Sequence, residues 1–162
     1  MEENEFKIIV DTREQQPWHF KNYATAVSKV DTGDYTVEGL EKIVTIERKK
    51  SVNEFANNIT EKRFKDWVGR LSEIEFPFVL LEFSLTDILN YPIGSNIPKR
   101  MWNKIKIRPN YIIKNLLELN LYYNINVVLC DNHRNAEHLA EQIFKRVYYI
   151  DKNRRKDDDK AQ

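Results

Sequence analysis

Short apolar runs alternate with amphipathic stretches along the whole chain. Phe6-Lys-Ile-Ile-Val10 predicts a strand, closed by the polar run Asp11-Thr-Arg-Glu-Gln-Gln-Pro17. Asp34-Tyr-Thr-Val37 and Lys42-Ile-Val-Thr-Ile46 are β-branched runs on either side of Glu38-Gly-Leu-Glu41. That pattern predicts a hairpin with Glu38 opposite Lys42 and Asp34 opposite Ile46. Ser51 followed by Glu54 has the spacing of a capping box, so a helix should open there. Phe64, Trp67, Val68 and Leu71 then share one helical face. Pro77-Phe-Val-Leu-Leu-Glu-Phe83 is nearly continuous in apolar residues, as a strand buried on both faces would be. Arg108-Pro109 opens a further helix, with Ile112, Leu116, Leu119 and Tyr123 on one side. Ile125-Asn-Val-Val-Leu-Cys130 predicts the last strand, and Ala136, Leu139, Ala140, Ile143 and Val147 a final amphipathic helix. From Asn90 to Arg108 the periodicity is weak, which predicts a loop or lid. This order implies one α/β domain over residues 1–150, with a central mixed sheet flanked by helices on both faces. The mixed-charge residues 151–162 predict a disordered tail.

Composition narrows the classes. A chain of 162 residues that is 41% hydrophobic and 31% charged has enough apolar material for one sizeable core. No apolar run approaches the roughly 20 residues of a membrane span, and the acidic start is unlike a signal peptide. The single Cys130 excludes an internal disulfide framework and suits a reducing, intracellular compartment. A net charge of +1, from 26 Lys and Arg against 25 Asp and Glu, hides a segregated distribution. Ile88 to Leu117 carries Lys99, Arg100, Lys104, Lys106, Arg108 and Lys114 with no acid. A second cluster holds Arg48, Lys49, Lys50, Lys62, Arg63, Lys65 and Arg70, while acids gather at Glu2, Glu3, Glu5, Asp11 and Glu14 and around residues 34–47. Such patches either attract a polyanion locally or are solvated helix faces.

The candidate chemistry lies in Ile46-Glu-Arg-Lys-Lys50. On a strand, Glu47 and Lys49 project to one face and Arg48 to the other. The hairpin brings Asp34 within about one residue of Glu47, and Asp11 ends a strand that a neighbour can bring to the same edge. Converging carboxylates need a cation, and an all-oxygen set suits Mg²⁺ or Mn²⁺. One cysteine and three scattered histidines (His19, His133, His138) make no zinc motif. Each element alone has an ordinary alternative: Glu-x-Lys as a surface ion pair, Asp34 as a turn residue. Glu82, an acid in an apolar strand, is either a further site carboxylate or a residue emerging at the strand end.

Taken together, Val10-Asp-Thr-Arg-Glu14, Gly33-Asp-Tyr35 and Ile46-Glu-Arg-Lys49 resemble the nuclease domain of the XPF family of structure-specific endonucleases, with its V-D-x-R-E and GDx(n)ERKxxxD signatures. Asn58-Ile59, Arg63-Phe64 and Arg70-Leu71 are similar to its later S-I-x-D-x-R-F-x-x-Q-x-x-R-L run. The resemblance implies a restriction-endonuclease-like core and metal-dependent cleavage of DNA at flaps, forks or Holliday-type junctions. It makes Asp34 and Glu47 the principal metal ligands, with Asp11 in or near the shell, and Lys49 the catalytic lysine. Arg13 and Arg48 would support the site or hold the scissile phosphate. Lys50, Arg63, Lys99, Arg100, Trp102, Lys104 and Lys106 become the candidate DNA contacts, the cations tracking phosphates and Trp102 stacking on a base. Two departures stand out: Asn53 replaces the acid that closes ERKxxxD, and Trp67 replaces the family's glutamine. Family members often add a helix-hairpin-helix module after the nuclease domain. Few residues follow the last helix here, so the expectation is a nuclease domain alone that pairs with a second copy or a partner subunit near Val147-Tyr-Tyr-Ile150. Two other readings stay open: a catalytically weak scaffold of the same fold, and a restriction-like nuclease acting on ordinary duplex.

Overall fold

The computed structural model describes residues 5–161; Glu2, Glu3 and Gln162 lie outside the described residues. Six strands form one sheet: β1 (Lys7–Asp11), β2 (Ala24–Ser28), β3 (Tyr35–Val37), β4 (Val44–Lys49), β5 (Phe76–Leu81) and β6 (Asn126–Leu129). Their spatial order is β2-β1-β3-β4-β5-β6. β3 runs antiparallel to both neighbours, and every other pairing is parallel. The helices are α1 (Val52–Asn58), α2 (Phe64–Ser72), α3 (Leu85–Asn90), α4 (Pro109–Leu121) and α5 (His133–Lys160), with a 3-10 turn at Lys99–Lys104.

The sheet separates two cores. On one face, Ile8, Val10, Tyr35, Val37, Val44, Ile46 and Leu80 pack with Ala136, Ala140, Phe144 and Val147 of α5 and with Trp18 and Phe20. On the other, Val79 and Leu81 pack with residues of α1 to α4, among them Phe55, Leu71, Ile88 and Ile112. Burial on both faces is why the central strands lack a clean polar–apolar alternation.

Three expectations change. The hairpin pairs Tyr35 with Ile46, so its register is one residue away from Asp34 opposite Ile46. The connection is longer than a simple four-residue loop. Leu40 N–H bonds Val37 C=O and Ile43 N–H bonds Leu40 C=O, each at 2.9 Å, and Leu40 is buried. The shift places Asp34 beside Glu47.

Residues beyond 150 are not a disordered tail; they continue α5 to Lys160. Side chains tie that extension down: Arg155 to Asp151 at 2.8 Å, Arg154 to Glu75 at 2.6 Å, and Lys152 over the rings of Tyr148 and Tyr149. Charge patterning at i,i+4 supports a helix as readily as it marks a solvated tail. Finally, β2 and α3 lie where no element is expected, and the 3-10 turn occupies part of the predicted loop. α3 is six residues long, held by the Ser84–Asp87 capping box, and is too short to show a period.

Candidate active site

β1, β3 and β4 carry three carboxylates to one end of the sheet. Val10 pairs with Tyr35, and Tyr35 with Ile46. One residue further along each strand stand Asp11, Asp34 and Glu47, on the face opposite Val10, Tyr35 and Ile46. Gly33 makes this approach possible: its φ is 87°, and a Cβ there would run into the Thr45 hydroxyl. That hydroxyl donates to Thr32 C=O at 2.6 Å and bridges the turn to β4.

Asp34 and Glu47 form the sharp part of the cluster. Arg48 N–H donates to Asp34 Oδ2 at 2.8 Å. Burial first, and then the neighbouring charge of Glu47, push the Asp34 carboxyl well above its ordinary range. Lys49 Nζ donates to Glu47 Oε1 at 3.1 Å, and the Lys49 side chain is only 9% exposed. The same ammonium lies 5.1 Å from the centroid of the Trp67 ring. Phe64 lies tilted against Trp67 at 5.4 Å, and Phe55 meets Phe64 edge-on at 6.4 Å.

Asp11 reaches the same end but is engaged elsewhere. Arg13 binds it bidentately, Nε to Oδ1 at 2.9 Å and Nη2 to Oδ2 at 2.8 Å, and the Arg13 and Val30 amides donate to it as well. The Arg13 guanidinium holds this carboxyl at about 2. Asp11 thus orients Arg13, whose side chain is 72% exposed and feels the charges of Asp34 and Glu47. Among the described residues no group of three or more His, Cys, Asp or Glu side chains is placed to hold a metal ion together. The donor set that does assemble, the neighbouring carboxylates of Asp34 and Glu47, fits a hard divalent ion that keeps several waters, as Mg²⁺ does.

Arg48 occupies the opposite face of β4. It is 4% exposed, with Nε on Glu82 Oε1 at 2.6 Å, Nη1 on Gln16 C=O at 2.6 Å and on Glu14 Oε2 at 3.2 Å, and Nη2 on His133 Nδ1 at 2.8 Å. Tyr35 stacks on Trp18 at 4.5 Å and its hydroxyl donates to Glu14 Oε2 at 2.7 Å. Trp18 Nε1 donates to Glu82 Oε1 at 2.8 Å. The expectation that Arg48 offers a fork to phosphate is therefore corrected: its donors are consumed internally, and it supports the site from beneath. Glu82 likewise stands apart from the carboxylate pair and anchors Arg48. Trp18 and His133 were invisible as participants, because their contacts span 64 and 85 residues of sequence.

The departures also find places. Asn53 Oδ1 accepts from the Tyr91 hydroxyl at 3.0 Å, tying α1 to the loop after α3. Ser51 caps α1 by accepting from Glu54 N–H at 3.1 Å, and the Glu54 carboxylate accepts from Lys50 N–H at 2.7 Å, so Glu54 is engaged at the helix start and is no substitute for the missing acid. Lys50, Arg63, Lys99, Arg100, Lys104 and Lys106 are exposed, Arg63 with a 2.6 Å bond to Glu61. Trp102 is half-buried and spends its Nε1–H on Ile97 C=O at 2.9 Å. A cavity of about 300 Å³ lies between Lys50–Asn53 and Tyr91–Asn96. Lys50 and Asp87 are the charged residues in its lining.

The ERCC4 domain family matches residues 10–143 of the chain. The 3'-flap repair endonuclease Xpf of Saccharolobus solfataricus is 36% identical over 88 residues, which are 51% of this chain and 36% of that relative. Two structures of XPF from Aeropyrum pernix, the second in complex with DNA, superpose with TM-scores of 0.63 and 0.61 at 19% and 18% identity. They cover 85% and 91% of this chain but 64% and 66% of their own. The chain therefore spans about a third of the Saccharolobus relative and a little under two thirds of the Aeropyrum chains. The likeness in structure establishes the restriction-endonuclease-like α/β fold.

Proposed function

This chain belongs to the ERCC4 domain family of XPF-type nuclease domains, and from that premise we propose that it is a Mg²⁺- or Mn²⁺-dependent DNA endonuclease acting at flaps, forks or four-way junctions. The observation that carries the reading is the grouping of Asp34, Glu47 and Lys49 on one face at one end of the sheet, with the exposed Arg13 beside them. Asp34 and Glu47 would hold the ion through carboxylate oxygens. When bound, a divalent ion polarises the phosphate and makes a water acidic enough to attack. The Arg48 amide fixes one Asp34 oxygen. Lys49 keeps N–H donors for the attacking water or for charge developing on phosphate. Arg13, preoriented by Asp11, has guanidinium surface left for a phosphate oxygen.

DNA would run from Lys50 past the cavity to Lys99, Arg100, Lys104 and Lys106, with Arg63 on the other flank. Trp102's inward hydrogen bond favours a packing role that presents these cations over free stacking. For a second copy or partner subunit, the supporting surface is the α4–β6 corner, where Leu121 and Tyr122 are 74% and 77% exposed and Leu129 flanks the sheet edge. In the Val147–Ile150 segment Val147 is buried in the core, while Tyr148, Tyr149 and Ile150 are half-buried. No helix among the described residues is long and apolar enough to cross a membrane. The scaffold alternative rests on Asn53 alone, and the bond from Tyr91 gives that residue a structural use.

A cleavage panel tests the proposal: flap, fork, four-way junction and linear duplex, each with Mg²⁺, with Mn²⁺ and with chelator. Cutting confined to branched substrates and abolished by chelator is expected. Equal cutting of linear duplex favours a restriction-like enzyme, and tight junction binding without cutting favours the scaffold.

A further inference from the structure

Lys49 has an unusual second partner. Its side chain is nearly buried, and a buried ammonium needs compensation from every side that water has left. The contacts it makes are Glu47 Oε1 at 3.1 Å and the Trp67 ring at 5.1 Å. Glu47 is the less dependable of the two, because its charge is also the one assigned to hold a divalent ion. The ring's attraction is electrostatic but takes no hydrogen bond. An amide oxygen at that position would claim one N–H; a π face holds the ammonium while leaving its donors free.

Packing alone does not account for a tryptophan here. Its Nε1 is buried without a hydrogen-bond partner among the described residues, which costs stability that a phenylalanine or leucine would not incur. Phe64 packs tilted against the indole and is itself met edge-on by Phe55, so the ring that faces Lys49 belongs to a braced aromatic row. We propose that Trp67 is a positioning residue that clamps the catalytic Lys49 through its π face. The inference rests on the nuclease reading for its effect on rate, but the clamp itself is observable without catalysis.

The test compares Trp67→Phe, which keeps a π face, with Trp67→Leu, which keeps apolar bulk only. With saturating branched DNA and Mg²⁺, Trp67→Leu should slow single-turnover cleavage about 10-fold while Trp67→Phe stays within about 3-fold of wild type. DNA affinity should stay within about 2-fold in both, since the ring meets the lysine and not the substrate. Equal rates for Leu and wild type, or Phe as slow as Leu with both folded by circular dichroism, would overturn the clamp. Independently, NMR of the metal-free protein should show the Lys49 ε-methylene protons, assigned with Lys49→Ala, displaced upfield by the indole ring current. That displacement should vanish in Trp67→Leu; its absence from wild type also overturns the proposal. If wild type cuts no DNA while the displacement is present, the nuclease reading fails and the contact stands.

Discussion

The two faces of β4 carry adjacent residues under opposite physical conditions. On one, Arg48 is buried and its guanidinium is spoken for by Glu82, Glu14, Gln16 and His133. On the other, Asp34 and Glu47 crowd together with Lys49 as the near cation, and Asp34 is pushed toward its protonated form. A satisfied network rigidifies a fold, whereas an unsatisfied cluster waits for a ligand. The contrast separates residues that make the site from those that hold it in place. Family motifs list Glu47, Arg48 and Lys49 as one run; the strand pleat assigns them two different jobs.

The largest test of this contrast is to break each face alone. Asp34→Ala, Glu47→Ala or Lys49→Ala should lower Mg²⁺-dependent cleavage by about 10³-fold or more, and for Asp34→Ala the urea midpoint should hold or rise. Arg48→Ala should do the reverse in kind: it strands Glu82 in the core and lowers unfolding free energy by about 3–5 kcal/mol, read from urea titration. Any activity loss there would follow from the altered fold. If Arg48→Ala leaves stability untouched, the supporting role is wrong.

A smaller effect lies at the hinge between the faces. Gly33→Ala meets both an unfavourable φ and the Thr45 hydroxyl, so a loss of about 1–3 kcal/mol is expected, together with reduced cleavage from a displaced Asp34. Equilibrium denaturation alongside the flap assay reads both.

Two pH dependences of opposite sign sharpen the comparison further. Asp11 is held at about 2, below its ordinary 3.8, so the Arg13 pair contributes stability that is present above pH 3.8 and lost as pH falls through 2. Because Arg13 is largely exposed, solvent screening reduces this to about 1 kcal/mol, and Arg13→Ala should cost that much at pH 6 and little at pH 2. Asp34 runs the other way. Its folded-state value lies above the unfolded 3.8, so once pH exceeds 3.8 the unfolded chain ionises more readily and the fold is penalised. Asp34→Asn should therefore raise the melting temperature at pH 7, with the gain closing as pH drops toward 3.8. A melting temperature unchanged at pH 7 would mean the acid pair is relaxed.

Much of this was legible in the residues. The strand run through Lys49 placed Glu47 and Lys49 on one face by its period of two. The capping box at Ser51 and Glu54 located α1, because that signal is carried by residues three apart. Legibility failed where a single distant contact decides the outcome. The hairpin connection holds a buried Leu40, and its register differs from the expected one by one residue. The ion pairs of Arg154 and Lys152 extended α5 through residues that composition marks as a tail.

The sequence by itself determined the α/β class, the family and the set of charged residues at the candidate site, because strand period, helix capping and spaced motifs are local properties of the chain. Only the tertiary structure decided which of those charges act together. It joined Asp34 to Glu47, diverted Asp11 to Arg13, buried Arg48 against Glu82 and His133, and set the Trp67 ring against Lys49. The reason is that a charge's behaviour depends on burial and on neighbours brought from other strands and helices, which spacing along one chain does not record.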